Sequence, residues 1–373
     1  MKKKLLYINN FEAPYRVPFF NLLGEYYDMT MAFSQKPSDR TERNLKWFKE
    51  PERTYKVLYL NTIKIGNIKI AFSIRKLLKD YDLIFMDMYG NPTNMYAIYC
   101  MQRMKIPFFM SVDGMLPKKE SFFTHRIKSY FLNAPLKIMS PAKSVDACLK
   151  KYGVQEEKIT RYNFTSLLES DILNSVPSKT EKTEIREKLG LAVNKKIIIT
   201  VGRFTYNKGY GKGYDVLFKA MSRLPKDYFL YVIGDEPTKE FVSMKRNLGL
   251  NNVHFVNFVN KDELKEYYRA ADLFCLQTRG DVWGLVINEA MGMGLPVITT
   301  KTCVAGGELV QNGINGYIAD AEDDIKLEAN IKRILSDDKL RKHMGEKSLR
   351  RIKEWTIEKM VSQHIALFEE SVL

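Results

Sequence analysis

The chain has 373 residues, of which 45% are hydrophobic and 28% charged, with a formal net charge of +15. That length suits two domains better than one core, and the composition excludes long disorder. Cys100, Cys148, Cys275 and Cys303 are widely spaced, which excludes a disulfide framework or a cysteine zinc site and fits a reducing cytoplasm. At the start, Met1-Lys2-Lys3-Lys4 leads into Leu5-Leu6-Tyr7-Ile8, an apolar run that stops at Asn9. It is too short for a signal segment and reads as a first buried strand. Nowhere do 18 apolar residues follow one another, so no membrane-crossing helix is expected.

Further apolar runs follow at Leu83-Ile84-Phe85-Met86, Phe108-Phe109-Met110, Ile197-Ile198-Ile199 and Phe229-Leu230-Tyr231-Val232-Ile233, separated by helical patterns. Strands of that kind are buried on both faces of parallel sheets, and their alternation with helices predicts α/β architecture. The polar stretch 174–187 reads as a linker, giving domains at 1–180 and 181–354. A terminal helix over 355–373 follows from the helical spacing of Trp355, Met360, Val361, Ile365 and Phe368.

The charge is uneven. Residues 1–180 hold 29 Lys and Arg against 17 Asp and Glu, while the remainder holds 30 against 27. So basic a first half favours anionic surfaces, of which phospholipid and nucleic acid are the candidates. No stacking-aromatic pattern or known nucleic-acid module appears, which weighs against nucleic acid as a partner. Two segments, Ile68–Lys79 and Ser121–Phe131, combine bulky apolar residues with cations and read as amphipathic helices. With Lys118 and Lys119 they either rest on an anionic membrane or are core helices with solvated basic faces.

Chemistry-bearing residues concentrate in the second half. A strand ending in Gly202-Arg203 runs through a basic, glycine-rich loop holding Lys208 and Lys212 into a helix from Tyr214. Ligands of open α/β sheets bind beyond the carboxyl ends of strands, where glycines admit close approach and cations bind phosphate. The Walker and dinucleotide spacings are both missing, and a solvated basic loop is the alternative. Downstream, Gly284-Leu285-Val286 opens a helix after Asp281, and Glu289 lies more than a turn along it. The helix start offers free N–H groups to an anion.

Together these segments resemble the retaining GT-B glycosyltransferases of the group 1 kind, in the branch that builds bacterial cell-surface polysaccharide. The likeness spans most of residues 190–340 and takes in Val232-Ile233-Gly234-Asp235 and Gly313-Ile314-Asn315-Gly316-Tyr317. It implies two Rossmann-like, doubly wound domains facing across a cleft, and a metal-independent hexosyltransferase without a cofactor. The implied partners are a nucleotide-sugar donor, a UDP-sugar, and a saccharide or lipid-linked saccharide acceptor. Gly202, Arg203 and one of Lys208 and Lys212 would hold the pyrophosphate, with Lys212 preferred because it directly precedes the helix. Gly284 with the N–H groups of Leu285 and Val286 would meet phosphate, Glu289 the ribose and Phe258 the base. Asp281 stands where the family has glutamate, one methylene longer, and would meet the sugar.

In the first half, Asn9 to Phe20 resembles the acceptor loop of such enzymes and offers Tyr15 and Arg16, a core role being the alternative. Asp113 ends the strand Met110-Ser111-Val112, where a carboxylate could take the acceptor proton. A plain Asp-Gly turn is the other reading. The four histidines have no metal or triad spacing, and Asp80-Tyr81-Asp82 reads as capping charges rather than a metal motif. A nucleotide-sugar epimerase of the same shape, which needs no acceptor, is the enzymatic rival. The expected location is the cytoplasm, peripheral at the inner face of the cell membrane.

Overall fold

The computed structural model describes residues 1–36 and 52–370, which form two compact units. Unit 1 comprises Met1–Ser166 together with the chain from Ile357 onward, and unit 2 comprises Leu167–Thr356.

In unit 1 the order is β1 (Lys4–Asn9), α1 (Val17–Tyr26), β2 (Asp28–Phe33), β3 (Lys56–Tyr59), β4 (Ile63–Ile65), β5 (Ile68–Ile70) and α2 (Ile74–Leu77). Then come β6 (Leu83–Asp87), α3 (Pro92–Met104), β7 (Phe109–Ser111), α4 (Phe122–Asn133), β8 (Lys137–Ser140), α5 (Lys143–Lys151) and β9 (Ile159–Arg161). Seven strands form a parallel sheet in the order β3-β2-β1-β6-β7-β8-β9. The chain winds outward from β1 to β3 and returns to β6, so the sheet switches direction between β1 and β6. Asn9 and Asp87 end those two strands. In doubly wound sheets that crevice is the ligand position.

The expected amphipathic helix over Ile68–Lys79 is instead an antiparallel hairpin, β4 with β5, followed by the one-turn helix α2. Its sequence Ile-Lys-Ile-Gly-Asn-Ile-Lys-Ile alternates with period two about a Gly-Asn turn. Gly66 takes φ 60° at the first turn position, a conformation that glycine adopts without strain. The helix over 121–131 is found as α4.

Unit 2 runs α6 (Lys179–Leu189), β10 (Lys196–Val201), α7 (Tyr214–Arg223), β11 (Tyr228–Ile233), α8 (Lys239–Asn247), β12 (Val253–Val256) and α9 (Lys261–Ala270). It continues with β13 (Leu273–Leu276), α10 (Leu285–Gly292), β14 (Val297–Thr300), α11 (Val304–Leu309), β15 (Gly316–Ala319), α12 (Asp324–Leu335) and α13 (Asp338–Ile352). Its parallel sheet has the order β12-β11-β10-β13-β14-β15, and the switch falls between β10 and β13. A core of Ile198, Leu217, Phe218, Leu230, Phe241 and Ile331 packs between the sheet and its helices.

The units divide at Ser166/Leu167, not near residue 180. The polar stretch read as a linker carries helix α6, begun by a capping box of Ser178 with Glu181 and ended by Gly190 at φ 66°. Two cations of α6 are buried: Lys182 and Arg186 both bind the buried carboxylate of Asp272, at 3.0 and 2.8 Å, and Arg341 of α13 binds it too. Polar composition therefore hides an element tied into unit 2 by charge. The terminal helix, α14 (Ile357–Glu370), belongs to unit 1, where Phe368 packs on Tyr27, Phe85 and Phe109.

Candidate functional site

In unit 2 the site forms where β10 and β13 part. Gly202 N–H donates to Ile233 O at 2.9 Å, and the neighbouring turn is so close that a Cβ on Gly234 would lie 2.0 Å from Gly202 O. Arg203 follows, exposed beyond the strand end. Asp235 fixes the start of the next loop by accepting from the backbone N–H of Phe204 and of Thr205. The loop then takes left-handed conformations at Asn207, Lys208 and Gly209, and Lys208 stands exposed.

Lys212 is placed differently. Its Nζ lies 2.7 Å from Asp281 Oδ2, and both side chains are largely buried. The backbone just before it is clamped to the end of β13: Gly211 O accepts from Thr278 Oγ1 at 2.9 Å and from Arg279 N–H at 3.0 Å. Gly213 closes this junction at φ 68°, and a Cβ there would lie 1.8 Å from Gln277 O. Of the two lysines, the fold thus brings Lys212 to the switch point. Arg279, which the sequence reading passed over, crosses the same junction, pairing with Asp215 at 2.8 Å and Glu322 at 2.6 Å.

Asp281 precedes Gly284, which caps α10 at φ 102°; a Cβ there would lie 2.7 Å from Cys303 Sγ. The N–H groups at the start of α10, those of Leu285 and Val286 among them, have no acceptor within the helix. The Trp283 indole donates to Asn288 Oδ1 at 3.0 Å, which steadies the first turn. One turn on, Glu289 is half-buried and its Oε2 accepts from the Tyr268 hydroxyl at 3.1 Å. Burial foremost, then the Glu289 charge, pushes the Tyr268 phenol well above its usual range, so it stays a donor. Phe258 is exposed just past edge strand β12, two strands from the switch point.

Unit 1 has its own polar cluster at the β1/β6 switch. Arg16 is 2% exposed, its Nη2 lies 2.5 and 2.6 Å from the two oxygens of Asp113, and Asp87 Oδ2 is 3.6 Å away. Its guanidinium also lies over the Phe164 ring at 5.0 Å. Burial alone would lower the Arg16 pKa, but Asp113 and Asp87 outweigh it and raise it well above its ordinary value, so the cation is permanent. Asp113 also accepts from the Tyr162 hydroxyl at 3.1 Å and keeps 31% of its side chain exposed. Asp87 accepts from Tyr7 at 2.7 Å, Asn9 and Ser111 at 2.6 Å. Burial, set against the nearby Arg16 charge, leaves the Asp87 pKa raised. Tyr15 is half-buried beside Arg16, and its phenol pKa is raised, chiefly by burial. Asp87 was missed in the sequence, although the rule that selected Asp113, a carboxylate ending a buried strand, selects it equally.

Among the described residues no three His, Cys, Asp or Glu side chains are grouped to hold a metal ion, and no helix is long and apolar enough to cross a membrane.

Two parallel six- and seven-stranded sheets, each with polar groups gathered at its switch point, make this a GT-B fold. Residues 181–351, nearly the whole of unit 2, match the family model of the glycosyl transferases group 1, so this unit is similar to that family. The structure of HepE from Anabaena in complex with UDP superimposes with a TM-score of 0.77 over 99% of this chain and 100% of that one, at 18% identity, a likeness of fold. In sequence, D-inositol 3-phosphate glycosyltransferase of Xylanimonas cellulosilytica is 32% identical over 172 residues, 44% of this chain and 40% of that protein. Lipopolysaccharide glucosyltransferase WaaG of Escherichia coli is 31% identical over 137 residues, 36% of this chain and 34% of that protein. The matched part thus spans less than half the length of these two relatives.

Proposed function

We propose that the chain transfers a hexose from a UDP-sugar to a hydroxyl of a saccharide or lipid-linked saccharide in the synthesis of cell-surface polysaccharide, with retention at the anomeric carbon. The observation that carries the reading is the gathering of Arg203, Lys212 and the start of α10 at the switch point of unit 2. Cations and open N–H groups there suit a diphosphate. HepE, whose fold is similar, was solved with UDP and with UDP-glucose, and relatives include glycosyltransferases of lipopolysaccharide and teichuronic acid synthesis.

In this reading Arg203 and Lys212 neutralise the charge that builds on the departing UDP, work that a metal ion would otherwise do. The N–H groups of Leu285 and Val286 hold phosphate oxygens. Glu289, fixed by Tyr268, accepts from the ribose hydroxyls, and Phe258 lies toward the base. Asp281 sets the Lys212 ammonium and meets the sugar. Asp113, held by Arg16 and open on one side, accepts from the acceptor hydroxyl.

Calorimetric titration with UDP and GDP, together with product analysis from UDP-sugars with and without saccharide acceptors, tests this. Arg203→Ala is expected to weaken UDP binding about 10- to 100-fold, the worth of a charge-assisted bond. Glu289→Ala should lose most turnover with its fold intact. Preference for GDP would move the donor assignment, and sugar conversion without any acceptor would favour an epimerase. Normal turnover in both variants would remove the assigned roles.

A further inference from the structure

Unit 1 leaves two apolar surfaces open to water. In the β4–β5 hairpin, pairing sets Ile63 opposite Ile70 and Ile65 opposite Ile68 on one face, and Lys64 opposite Lys69 on the other. The isoleucine face is largely uncovered among the described residues: Ile63 and Ile65 are each 57% exposed and Ile68 53%, while Ile70 is half-buried. A two-stranded hairpin is marginal in water, and opposed lysines weaken it further. From Leu60 to Lys79 the chain has five Lys and Arg and no Asp or Glu. The second surface is the start of α4, where Phe122 and Phe123 are the most exposed aromatic rings among the described residues, Phe123 at 77%. Ile127 continues the same surface, while Arg126 lies over Phe122 at 5.7 Å and Lys118 and Lys119 stand exposed just before the helix.

Both surfaces are fastened to one end of the sheet. Past the hairpin, Ala71 N–H donates to Thr93 Oγ1 at the start of α3, and Phe72 packs edge-on to Tyr96 with centroids 5.0 Å apart. From the other side, Phe131 of α4 stacks on Tyr89, in the turn between β6 and α3, at 5.5 Å. That turn begins where β6 ends at Asp87, so the exposed isoleucines and phenylalanines flank the strand ends that carry the Arg16 cluster.

We infer that this end of unit 1 docks on an anionic lipid leaflet. The isoleucine face and Phe122–Phe123 enter the boundary between headgroups and acyl chains, and the surrounding lysines and arginines meet headgroup phosphates. Charge selects a lipid surface over a second copy of the chain, since this part of unit 1 is basic and would repel itself. A peripheral place at the inner face of a cell membrane follows, and it brings a lipid-linked acceptor to the end of the sheet where Asp113 lies. The biological reason rests on the proposed transfer, whereas docking is a property of the surface and is measured without it.

The test is flotation of the full chain with vesicles of phosphatidylcholine alone and of phosphatidylcholine mixed with phosphatidylglycerol, at low and high salt. Recovery with the anionic vesicles is expected, reduced at least tenfold at 0.5 M salt and on neutral vesicles. Ile63→Ser/Ile65→Ser/Ile68→Ser and, separately, Phe122→Ser/Phe123→Ser should each lower partitioning by about 100-fold. Unchanged circular dichroism should show that exposed positions were altered without loss of fold. Absence of binding to anionic vesicles, or binding that both variants retain, overturns the inference. So does a lipid-free dimer, seen by sedimentation equilibrium, that the isoleucine variant dissolves. Because no sugar donor is present, failure here leaves the transferase reading standing, and failure of UDP binding leaves this one standing.

Discussion

His364 gives the molecule a measurable acid sensitivity. Its imidazole, on α14, is wholly buried, 4.8 Å from the Phe19 ring and 5.0 Å from Phe85, with Tyr162 edge-on. Nδ1 lies 2.7 Å from Met360 O, so the single ring proton belongs there, and Nε2 has no hydrogen-bond partner. Burial lowers its pKa to about 3, with the Met360 carbonyl pulling upward and Arg16 adding to the depression. Unfolded, an imidazole titrates at about 6.5. Between those two values the unfolded chain binds a proton that the folded chain refuses. Stability therefore rises with pH across this window, and falls as pH drops from 6.5 toward 3. Over the span from pH 7.5 to 5.0 the loss is about 2 kcal/mol, at about 1.4 kcal/mol per unit below pH 6.5. Asp87, Asp113 and Arg16 lie near, and the raised Asp87 pKa acts in the opposite sense, so the clean quantity is a difference between two proteins. Urea denaturation of the parent and of His364→Phe, followed by circular dichroism at both pH values, supplies it. The parent should lose about 2 kcal/mol more than the variant in the transition that reports unit 1. Equal losses in the two proteins would refute the account.

Three further outcomes are expected. Gly213→Ala places a Cβ 1.8 Å from Gln277 O at φ 68°, so the β10 loop and the end of β13 must separate; a loss of at least about 2 kcal/mol in the melt of unit 2, together with weaker UDP binding, should follow. Asp272 is buried, and although burial opposes its ionisation, Lys182, Arg341 and Arg186 hold its carboxyl well below the usual range. Asp272→Asn leaves three cations facing a neutral amide and should cost about 3–5 kcal/mol at pH 7, a gap that closes only in strong acid, where the parent's carboxylate also protonates. Lys212→Ala should weaken UDP binding at least about tenfold while Lys208→Ala changes it less than about twofold, and the reverse order in calorimetry would return the phosphate role to Lys208.

Much of unit 2 was legible in the sequence because its signals are local. A buried strand, a glycine that must approach another backbone, and a cation at the strand end are read within a dozen residues of Gly202, and Gly284 announces α10 in the same way. Lys212 was preferred over Lys208 on a local ground, its place just before the helix, but its placement is not local. It depends on a clamp between Gly211 and Thr278, two segments 67 residues apart, and on Asp281 beyond them. The misplaced boundary has a similar cause. Lys182 and Arg186 look like linker cations until Asp272, 90 and 86 residues away, is seen beneath them. The hairpin at 63–70 was missed for another reason: the helical reading began at Ile68, inside its second strand, and so left out the first half of the period-two alternation about the Gly-Asn turn.

The Arg16 cluster shows why one carboxylate of a pair is suited to meet a substrate and the other is not. Asp87, its side chain 12% exposed, accepts from Tyr7, Asn9 and Ser111, so its lone pairs are committed to groups on β1 and β7. It stands 3.6 Å from Arg16, close enough to attract the cation and too far to bond it well. Asp113 takes the short contacts to Nη2 instead, yet remains 31% exposed. Three fixed donors thus hold Asp87, Asp87 helps to hold Arg16, and Arg16 orients Asp113, so that positional restraint passes outward to the more exposed of the two carboxylates. Arg16 Nη1, buried and without a hydrogen-bond partner in the cluster, is the remaining unsatisfied donor there.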